Sequence, residues 1–160
     1  VSEPYRMFTS RAEFRLKLRA DNADQRLTPL GLSIGCVGAE RASVFSERLS
    51  DLERSRAVLD SLTLTPNEAA AEGLSINRDG RRRSAFELLA FPDITIARLA
   101  AIWPELREMP AAMASQIEID ARYAAYVRRQ DEDVAALKRD EAIAIPPGFD
   151  FASIRSLSIE

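Results

Sequence analysis

The side chains best suited to chemistry in this sequence are arginines near its amino terminus. Arg11, Arg15 and Arg19 are spaced at i, i+4 and i+8, and Arg26 follows closely. On a helix, that spacing would place the first three on one face. A guanidinium group can grip a phosphate with two hydrogen bonds, so the row suits a polyphosphate backbone. The alternative is a solvated face, or arginines paired with nearby acids, which is the commoner meaning of a charged stripe.

Weaker candidates lie further along the chain. Arg81–Arg83 forms a second basic cluster, in a sequence whose Asp79 and Gly80 are typical of a turn. Loop arginines can reach nucleic acid, but a lone triplet is more often simply solvated. Tyr123 and Tyr126 could stack on bases, although at helical spacing such residues are more often half-buried anchors. The acidic run Asp131–Asp133 indicates an exposed helix face and no metal site, because adjacent carboxylates on a helix diverge.

Several kinds of catalytic site are excluded by composition. The sequence has no histidine and one cysteine, which removes Ser–His and Cys–His nucleophile pairs, the usual zinc sites and any internal disulfide. Cys36 has no evident base beside it and is predicted to be a small buried hydrophobe. The sequence contains neither a Gly-x-Gly-x-x-Gly motif nor a P-loop, so no dinucleotide is expected to bind by that route. No catalytic, cofactor-binding or metal-binding residue is therefore assigned.

The charge is unevenly distributed along the chain. The net charge is −3, yet residues 1–30 hold six basic side chains against four acidic ones. This argues against general coating of nucleic acid but permits one local phosphate-binding face. With no signal peptide and no apolar run near ~20 residues, the default expectation is a reduced, cytoplasmic setting without a membrane.

The element that must position the N-terminal arginines is ambiguous. Ser10 and Glu13 form a possible capping box, which favours a helix over Arg11–Arg19. Residues 14–19 also alternate strictly between apolar and basic side chains, which is typical of a strand. The cap and the absence of β-branched residues favour the helix.

The rest of the sequence predicts an all-α, irregular helical domain with little or no sheet. Helices are expected from Thr28-Pro29 to about Gly35, over about 39–62, after Thr65-Pro66, after Ser84, after Asp93 and, longest, over about 111–140. Thr65 with Glu68, and Ser84 with Glu87, have the spacing of helix caps. The longest helix has apolar side chains at helical spacing, from Met113 to Leu137. The expected organisation is a basic segment at 1–30, a helical domain at 31–148, and the start of a further helical bundle at 149–160. Because the chain opens on Val1, it reads as a piece of a longer protein.

Two stretches of the sequence carry a resemblance to a known family. They read Glu3-Pro-Tyr-Arg-Met-Phe-Thr-Ser-Arg-Ala-Glu-Phe-Arg-Leu16 and Arg19-Ala-Asp-Asn-Ala-Asp-Gln-Arg-Leu-Thr28. Both resemble the signature of the MnmG (GidA) family, the tRNA uridine 5-carboxymethylaminomethyl modification enzymes. Weaker echoes in matching order lie at 116–123, 126–130, 145–146, 149–151 and 157–158. Alanines at 124–125, and Ser156, stand where the family commonly has a glycine, which concerns packing detail only.

The resemblance implies a function that residue patterns alone would not give. Full-length members bind FAD in an N-terminal Rossmann-type domain and use NADH and a methylene-tetrahydrofolate carbon donor. With the GTP-hydrolysing partner MnmE they modify the wobble uridine of certain tRNAs, and a homodimer is expected. The redox-active cysteines of the family lie in the flavin-bearing part, so Cys36 has no such role. The chain would then be a non-catalytic C-terminal region.

Within that resemblance, the basic segment acquires a specific role. The residues expected to contact tRNA are Arg11, Arg15, Arg19 and Arg26, while the long helix is expected to support subunit contacts. The alternative is an interaction scaffold in which these arginines are structural and tRNA is held by other domains. A stand-alone enzyme is disfavoured by the missing histidines and the missing phosphate cradle.

Overall fold

Helices dominate the architecture, which is described here by a computed structural model over residues 14–144 and 148–149. A short 3₁₀ turn at Arg15–Lys17 precedes six α-helices, and a second 3₁₀ helix spans Pro104–Glu108. The α-helices are α1 (Ala23–Ser33), α2 (Ala39–Ser61), α3 (Pro66–Ala71), α4 (Ala85–Leu88), α5 (Ile96–Ile102) and α6 (Ala111–Glu141). The predicted all-α class with one long helix is confirmed. None of the helices described is both long and apolar enough to cross a bilayer.

The only sheet within the described residues is a two-stranded ribbon. Strand β1 (Thr63–Leu64) pairs antiparallel with β2 (Arg83–Ser84), so that Thr63 lies opposite Ser84. The ribbon joins the end of α2 to the start of α4, because the Ala85 amide also donates to the Leu62 carbonyl oxygen at 2.7 Å. It therefore fixes the loop at 75–83 against the core.

Two short helices begin where the sequence predicts, and for the predicted reason. Thr65 accepts a hydrogen bond from the Glu68 amide while the Glu68 carboxylate accepts one from the Thr65 amide, which completes a capping box. Ser84 and Glu87 form the same arrangement at α4. Each box satisfies amides that the first helical turn leaves without partners. These caps set the direction of the chain on both sides of the ribbon.

Two other helix starts differ from the prediction. Helix α1 begins at Ala23, with Asn22 at the cap position, and Pro29 lies inside it. Thr28 is buried within α1 instead of acting as a cap, and α1 packs on α2. Helix α5 is capped by Thr95, whose hydroxyl accepts from the Arg98 amide at 3.3 Å, and not by Asp93.

The hydrophobic core lies among α2, α4, α5 and α6. Its largest fully buried side chains are Leu59, Leu88, Leu89, Ile94, Leu99 and Ile117. Burying an aliphatic side chain of this size contributes about 1.5–3 kcal/mol relative to leaving it exposed. Helix α6 contributes little to this core for its length, since only Gln116, Ile117 and Ala121 of its 31 residues are buried. Most of α6 is thus a solvent-facing rod anchored near its first third.

The loop at 75–83 is stabilised by a charged hydrogen-bond cluster around Asp79. The Asp79 carboxylate accepts from Arg83 Nη1 at 3.0 Å and from the Arg81 amide at 3.1 Å. The hydrogen bonds from Arg83, followed by the one from the Arg81 amide, lower the pKa of Asp79 from 3.8 to about 2. Arg83 is itself buried, so it is a structural cation and not a free one.

We expect this carboxylate to make the fold sensitive to acid. A group with a lowered folded-state pKa stabilises the fold above its unfolded pKa and loses that contribution as the pH falls through the folded value. The contribution of Asp79 should therefore disappear between about pH 4 and pH 2. Urea unfolding of the chain and of Asp79→Asn at pH 5 and pH 2.5 tests this, because the free energy of unfolding should fall less in the variant. Equal losses would show that the cluster is not linked to folding.

Candidate nucleic-acid interface

The helix predicted over Arg11–Arg19 is wrong for the part that the structure describes. Helical structure there is limited to the 3₁₀ turn at Arg15–Lys17, and Leu18 has non-helical φ and ψ of −96° and 57°. Arg11 and the proposed capping box at 10–13 lie outside the described residues. Arg15 and Arg19 are consequently not stacked one helical turn apart, and a regular row of guanidinium groups does not form between them.

Arg19 is held in a network that ties the basic segment to α6. Its Nε and Nη2 atoms donate to the two carboxylate oxygens of Asp21 at 3.0 and 2.8 Å, and Nη2 also donates to Asp120. Gln116 Nε2 donates to Asp21 at 3.0 Å and to Asp120 at 3.3 Å. The guanidinium group lies 4.6 Å from the centre of the Tyr123 ring. We call these five residues the Arg19 clamp.

The electrostatics of the Arg19 clamp favour its own ion pairs over an external phosphate. Only 12% of the Arg19 side chain is exposed, and two carboxylates face one cation. The hydrogen bonds from Arg19, opposed by burial, lower the pKa of Asp21, and the same pairing raises the pKa of Arg19. A phosphate approaching Arg19 would meet a local excess of negative charge. In this arrangement Arg19 positions the segment.

The remaining predicted arginines differ in how free they are. Arg26 is half-buried and donates from Nε to Asn22 Oδ1 at 2.9 Å and from Nη2 to the Arg19 carbonyl at 3.3 Å. Lys17, which follows in the 3₁₀ turn, pairs with Asp131 on α6. Arg15 is exposed and makes no ion pair or side-chain hydrogen bond with any described residue. Of the predicted contacts that the structure describes, Arg15 has the most accessible guanidinium group.

The second basic cluster is brought together with two arginines that the sequence did not single out. Arg81 and Arg83 line a cavity of about 430 Å³ with Arg56 of α2 and Arg128 of α6. One sequence feature could have indicated this cavity. Ala121, Ala124 and Ala125 lie one and two turns before Arg128 on α6, and their small side chains leave space beside that helix. Because Arg56, Arg81 and Arg128 are far apart in sequence, spacing alone could not have joined them.

The other side chains considered in the sequence analysis agree with the predictions only in part. Cys36 is exposed, so the prediction that it is buried is wrong. It follows Gly35, whose φ of 74° turns the chain out of α1 at the surface. Tyr126 is 64% exposed and is not a half-buried anchor, while Tyr123 is 37% exposed and lies against the Arg19 guanidinium. Residues 131–133 are exposed as predicted. Within the described ranges, no three or more potential metal-ligating side chains come together.

A larger cavity, of about 630 Å³, lies between α5, the Pro104–Glu108 turn and the start of α6. Its walls are mainly alanine and aliphatic side chains. The two charged groups at its edge already serve the fold, because Glu118 accepts from the Ile96 amide at 2.8 Å and Arg107 donates to the Ala100 carbonyl at 3.2 Å. Both charged groups therefore cap α5 and are already engaged in the fold.

An exposed apolar face on α1 is a second surface with functional potential. Leu27, Leu30 and Ile34 are 56%, 61% and 77% exposed, and Val44 of α2 is 62% exposed. Leu27, Leu30 and Ile34 are spaced at i, i+3 and i+7, and several large apolar side chains exposed along one helix face are typical of a surface that meets another protein surface. This face belongs to the segment nearest the described amino-terminal end.

Comparisons with known proteins find relatives that match this chain over most or all of its length. The family model described as the tRNA modifying enzyme MnmG/GidA C-terminal helical domain matches residues 39–131. The tRNA uridine 5-carboxymethylaminomethyl modification enzymes MnmG of Syntrophotalea carbinolica and Zymomonas mobilis are 42% and 40% identical over all of this chain. The chain spans about a quarter of their length, 26% and 25% respectively. Aquifex aeolicus GidA in its form II crystal superposes with a TM-score of 0.65 at 28% identity, covering 99% of this chain and 25% of that one.

Proposed function

The chain belongs to the MnmG/GidA family, and we propose that it is the helical C-terminal region of an FAD-dependent tRNA-modifying enzyme that installs a carboxymethylaminomethyl-type group on the wobble uridine. The observation that carries this proposal is the 42% identity over the full chain to an enzyme of that name. Similarity of this extent, joined to the shared helical architecture, supports a shared role in the same reaction.

In this proposal the chemistry belongs to the part of the enzyme outside this chain. The sequence offers no glycine-rich turn for a pyrophosphate, so the residues present do not fit FAD or NADH. No step of the reaction is assigned to them. The contribution of the chain is to help hold the tRNA and to support contacts between subunits and with the GTPase partner MnmE.

The tRNA-docking role is best supported at Arg15. Its guanidinium group is exposed and unpaired among the described residues, and the Arg19 clamp braces the adjoining backbone against α6. A cation on a braced backbone loses less conformational freedom when it grips a phosphate than one on a free terminus. Arg11 remains part of the proposal, while Arg19 and Arg26 contribute by holding the segment in place.

A scaffold without direct tRNA contact is the second candidate function, and the apolar face of α1 favours it. That face would pack on another part of the full-length protein or on the second subunit of the proposed homodimer. Both roles can coexist on one segment, because the apolar face and Arg15 are formed by different residues. The two candidates differ in whether Arg15 is needed for tRNA affinity.

Charge reversal at Arg15 separates these candidates. In the full-length enzyme, Arg15→Glu should weaken tRNA binding roughly ten-fold and make its dependence on salt shallower by about one unit of slope, because one phosphate contact is lost. The measurement is the dissociation constant for tRNA over a series of KCl concentrations. Arg15 is changed alone because reversing Arg19 would also break the clamp.

Arg122→Glu is the matched control. Arg122 is exposed on α6, two residues after Asp120 and so about 200° around the helix from it, and it should leave the affinity within two-fold. If Arg15→Glu and Arg122→Glu have the same small effect, direct docking by the basic segment is rejected and the scaffold is retained. Wild-type enzyme that binds no tRNA would reject both docking and the proposed activity.

A further inference from the structure

The four-arginine cavity is a site to which neither the family resemblance nor the comparisons give a role. It opens between the second half of α2, the corner where β2 meets α4, and the middle of α6. Arg56, Arg81, Arg83 and Arg128 line it, and Glu87 is the one carboxylate in the lining. We propose that this cavity binds a phosphate of the tRNA backbone, as a second docking point beside the basic segment. The proposal rests on the proposed function.

The charge around the cavity favours an anion even when the neighbouring acids are counted. Asp60 pairs with Arg56 and Asp79 pairs with Arg83 from outside the lining. Four guanidinium groups then face three carboxylates, in a chain whose net charge is −3. A positive site on an acidic protein is a local feature that steers a polyanion to one place and not to the surface in general.

The donors needed to hold a phosphate are available. Arg128 is exposed and makes no ion pair or side-chain hydrogen bond with the residues that the structure describes. Arg56 uses Nε toward Asp60 at 2.8 Å, which leaves both of its terminal nitrogens unused. Arg81 pairs with Glu87, but the two side chains are largely exposed, and such pairs contribute about 0–1 kcal/mol. A guanidinium group has five N–H donors, so Arg81 can retain Glu87 and still donate to a phosphate.

The cavity has small side chains on one wall, and its other walls include the apolar side chains of Phe86, Ala90 and Phe91. Its wall on α6 consists of Ala121, Ala124 and Ala125, whose small side chains let the guanidinium ends converge without filling the space. The Arg56 guanidinium lies over the Phe86 ring, which holds the cation at the edge of the cavity. Arg83 is held by hydrogen bonds from its Nη1 and Nη2 atoms to the Asp79 carboxylate. The guanidinium groups of Arg56, Arg81 and Arg83 are therefore held by ion pairs without any ligand. The Arg128 guanidinium makes no ion pair with the described residues.

The cavity and the basic segment are close enough to serve one tRNA. Asp120, which anchors Arg19, precedes Arg128 by eight residues on the same helix, or about 12 Å along the axis. The two positions lie on neighbouring faces of α6. A tRNA arm lying along α6 can therefore meet Arg15 and Arg128 together, and its affinity would gain from both contacts.

The test is tRNA binding by the full-length protein carrying Arg128→Glu. We expect roughly ten-fold weaker binding at low salt and a salt slope shallower by about one unit. Arg129→Glu is the matched control, since Arg129 has the same charge and exposure on the same helix but does not line the cavity. It should change the affinity by less than two-fold. A second variant, Arg81→Gln, should weaken binding in the same direction by a smaller factor.

The outcomes separate this proposal from the one on which it rests. Wild-type protein that binds tRNA, with equal affinities for Arg128→Glu and Arg129→Glu, overturns the cavity proposal and leaves the proposed function standing. Wild-type protein that binds no tRNA overturns both. Polyglutamate is the second probe: if Arg128→Glu abolishes polyglutamate binding but leaves tRNA affinity unchanged, the cavity receives an acidic protein segment and the phosphate proposal fails.

Discussion

Replacing Arg19 with alanine is expected to destabilise the chain by about 2 kcal/mol. The substitution leaves Asp21 and Asp120 facing each other without their shared cation, with 26% of each side chain exposed. Removing the cation of a mostly buried ion pair costs more than the pair contributes, because the two carboxylates remain partly desolvated with only the neutral Gln116 amide as a shared donor. The loss of the guanidinium group over Tyr123 adds to this cost. The measurement is the free energy of unfolding from urea titration at pH 7.

A double-mutant cycle tests whether the effect belongs to the Arg19 clamp. Arg19→Ala, Asp120→Ala and the double variant should give a coupling free energy of about 1–2 kcal/mol, because the three charges form one network. Arg54→Ala is the matched control, since Arg54 pairs with Asp51 in an ion pair whose side chains are 75% and 52% exposed. Its removal should cost less than about 0.5 kcal/mol. Additive effects of Arg19→Ala and Asp120→Ala would contradict the clamp.

The stability and the tRNA affinity of Arg19→Ala together test whether Arg19 contacts tRNA directly. If Arg19 acts mainly by gripping phosphate, Arg19→Ala should reduce tRNA affinity and leave stability almost unchanged. If Arg19 acts as a clamp, stability falls first, and affinity falls because Arg15 is no longer held on an ordered backbone. Comparing the two measurements on the same variant distinguishes these roles.

Local signals in the sequence predicted much of the fold. The capping boxes at Thr65 and Ser84 and the helical spacing of apolar residues in α6 depend on neighbours within a few positions, and all three are confirmed. The helix at Arg11–Arg19 was predicted from the same kind of signal. Residues 14–19 do not form that helix, and Arg19 instead bonds to Asp120, a partner 101 residues away. A contact at that separation leaves no trace in local periodicity.

Because local patterns do not report distant contacts, the sequence predicted only part of the candidate sites. Exposure of residues 131–133 follows from a charged stretch on a helix and is confirmed. Cys36 was predicted to be buried because no base stands beside it and a free cysteine is usually a small buried side chain. The turn at Gly35 instead places Cys36 at the surface. The four-arginine cavity combines three separate elements, so its assembly is a property of tertiary packing and not of any motif. Family resemblance identified the family, but only the packing of α6 shows which guanidinium groups make no ion pair with the described residues.

Replacing Ile117 with alanine is expected to lower the free energy of unfolding by about 2–4 kcal/mol. Ile117 is 1% exposed and is one of three buried residues on the 31-residue helix α6. Truncating a buried isoleucine removes its transfer free energy and leaves a cavity that the surroundings fill only in part. Because α6 has so few other anchors, the loss falls on the element that carries both Asp120 and Arg128. The measurement is again urea unfolding.

The tRNA affinity of Ile117→Ala tests whether α6 supports both docking points. If the basic segment and the four-arginine cavity both depend on the seating of α6, Ile117→Ala should weaken tRNA binding by the full-length protein under conditions in which the variant remains folded. Ile143→Ala is the matched control, because Ile143 is 72% exposed and its truncation should cost less than about 0.5 kcal/mol. Full tRNA affinity in a measurably destabilised Ile117→Ala protein would show that neither docking point depends on the seating of α6.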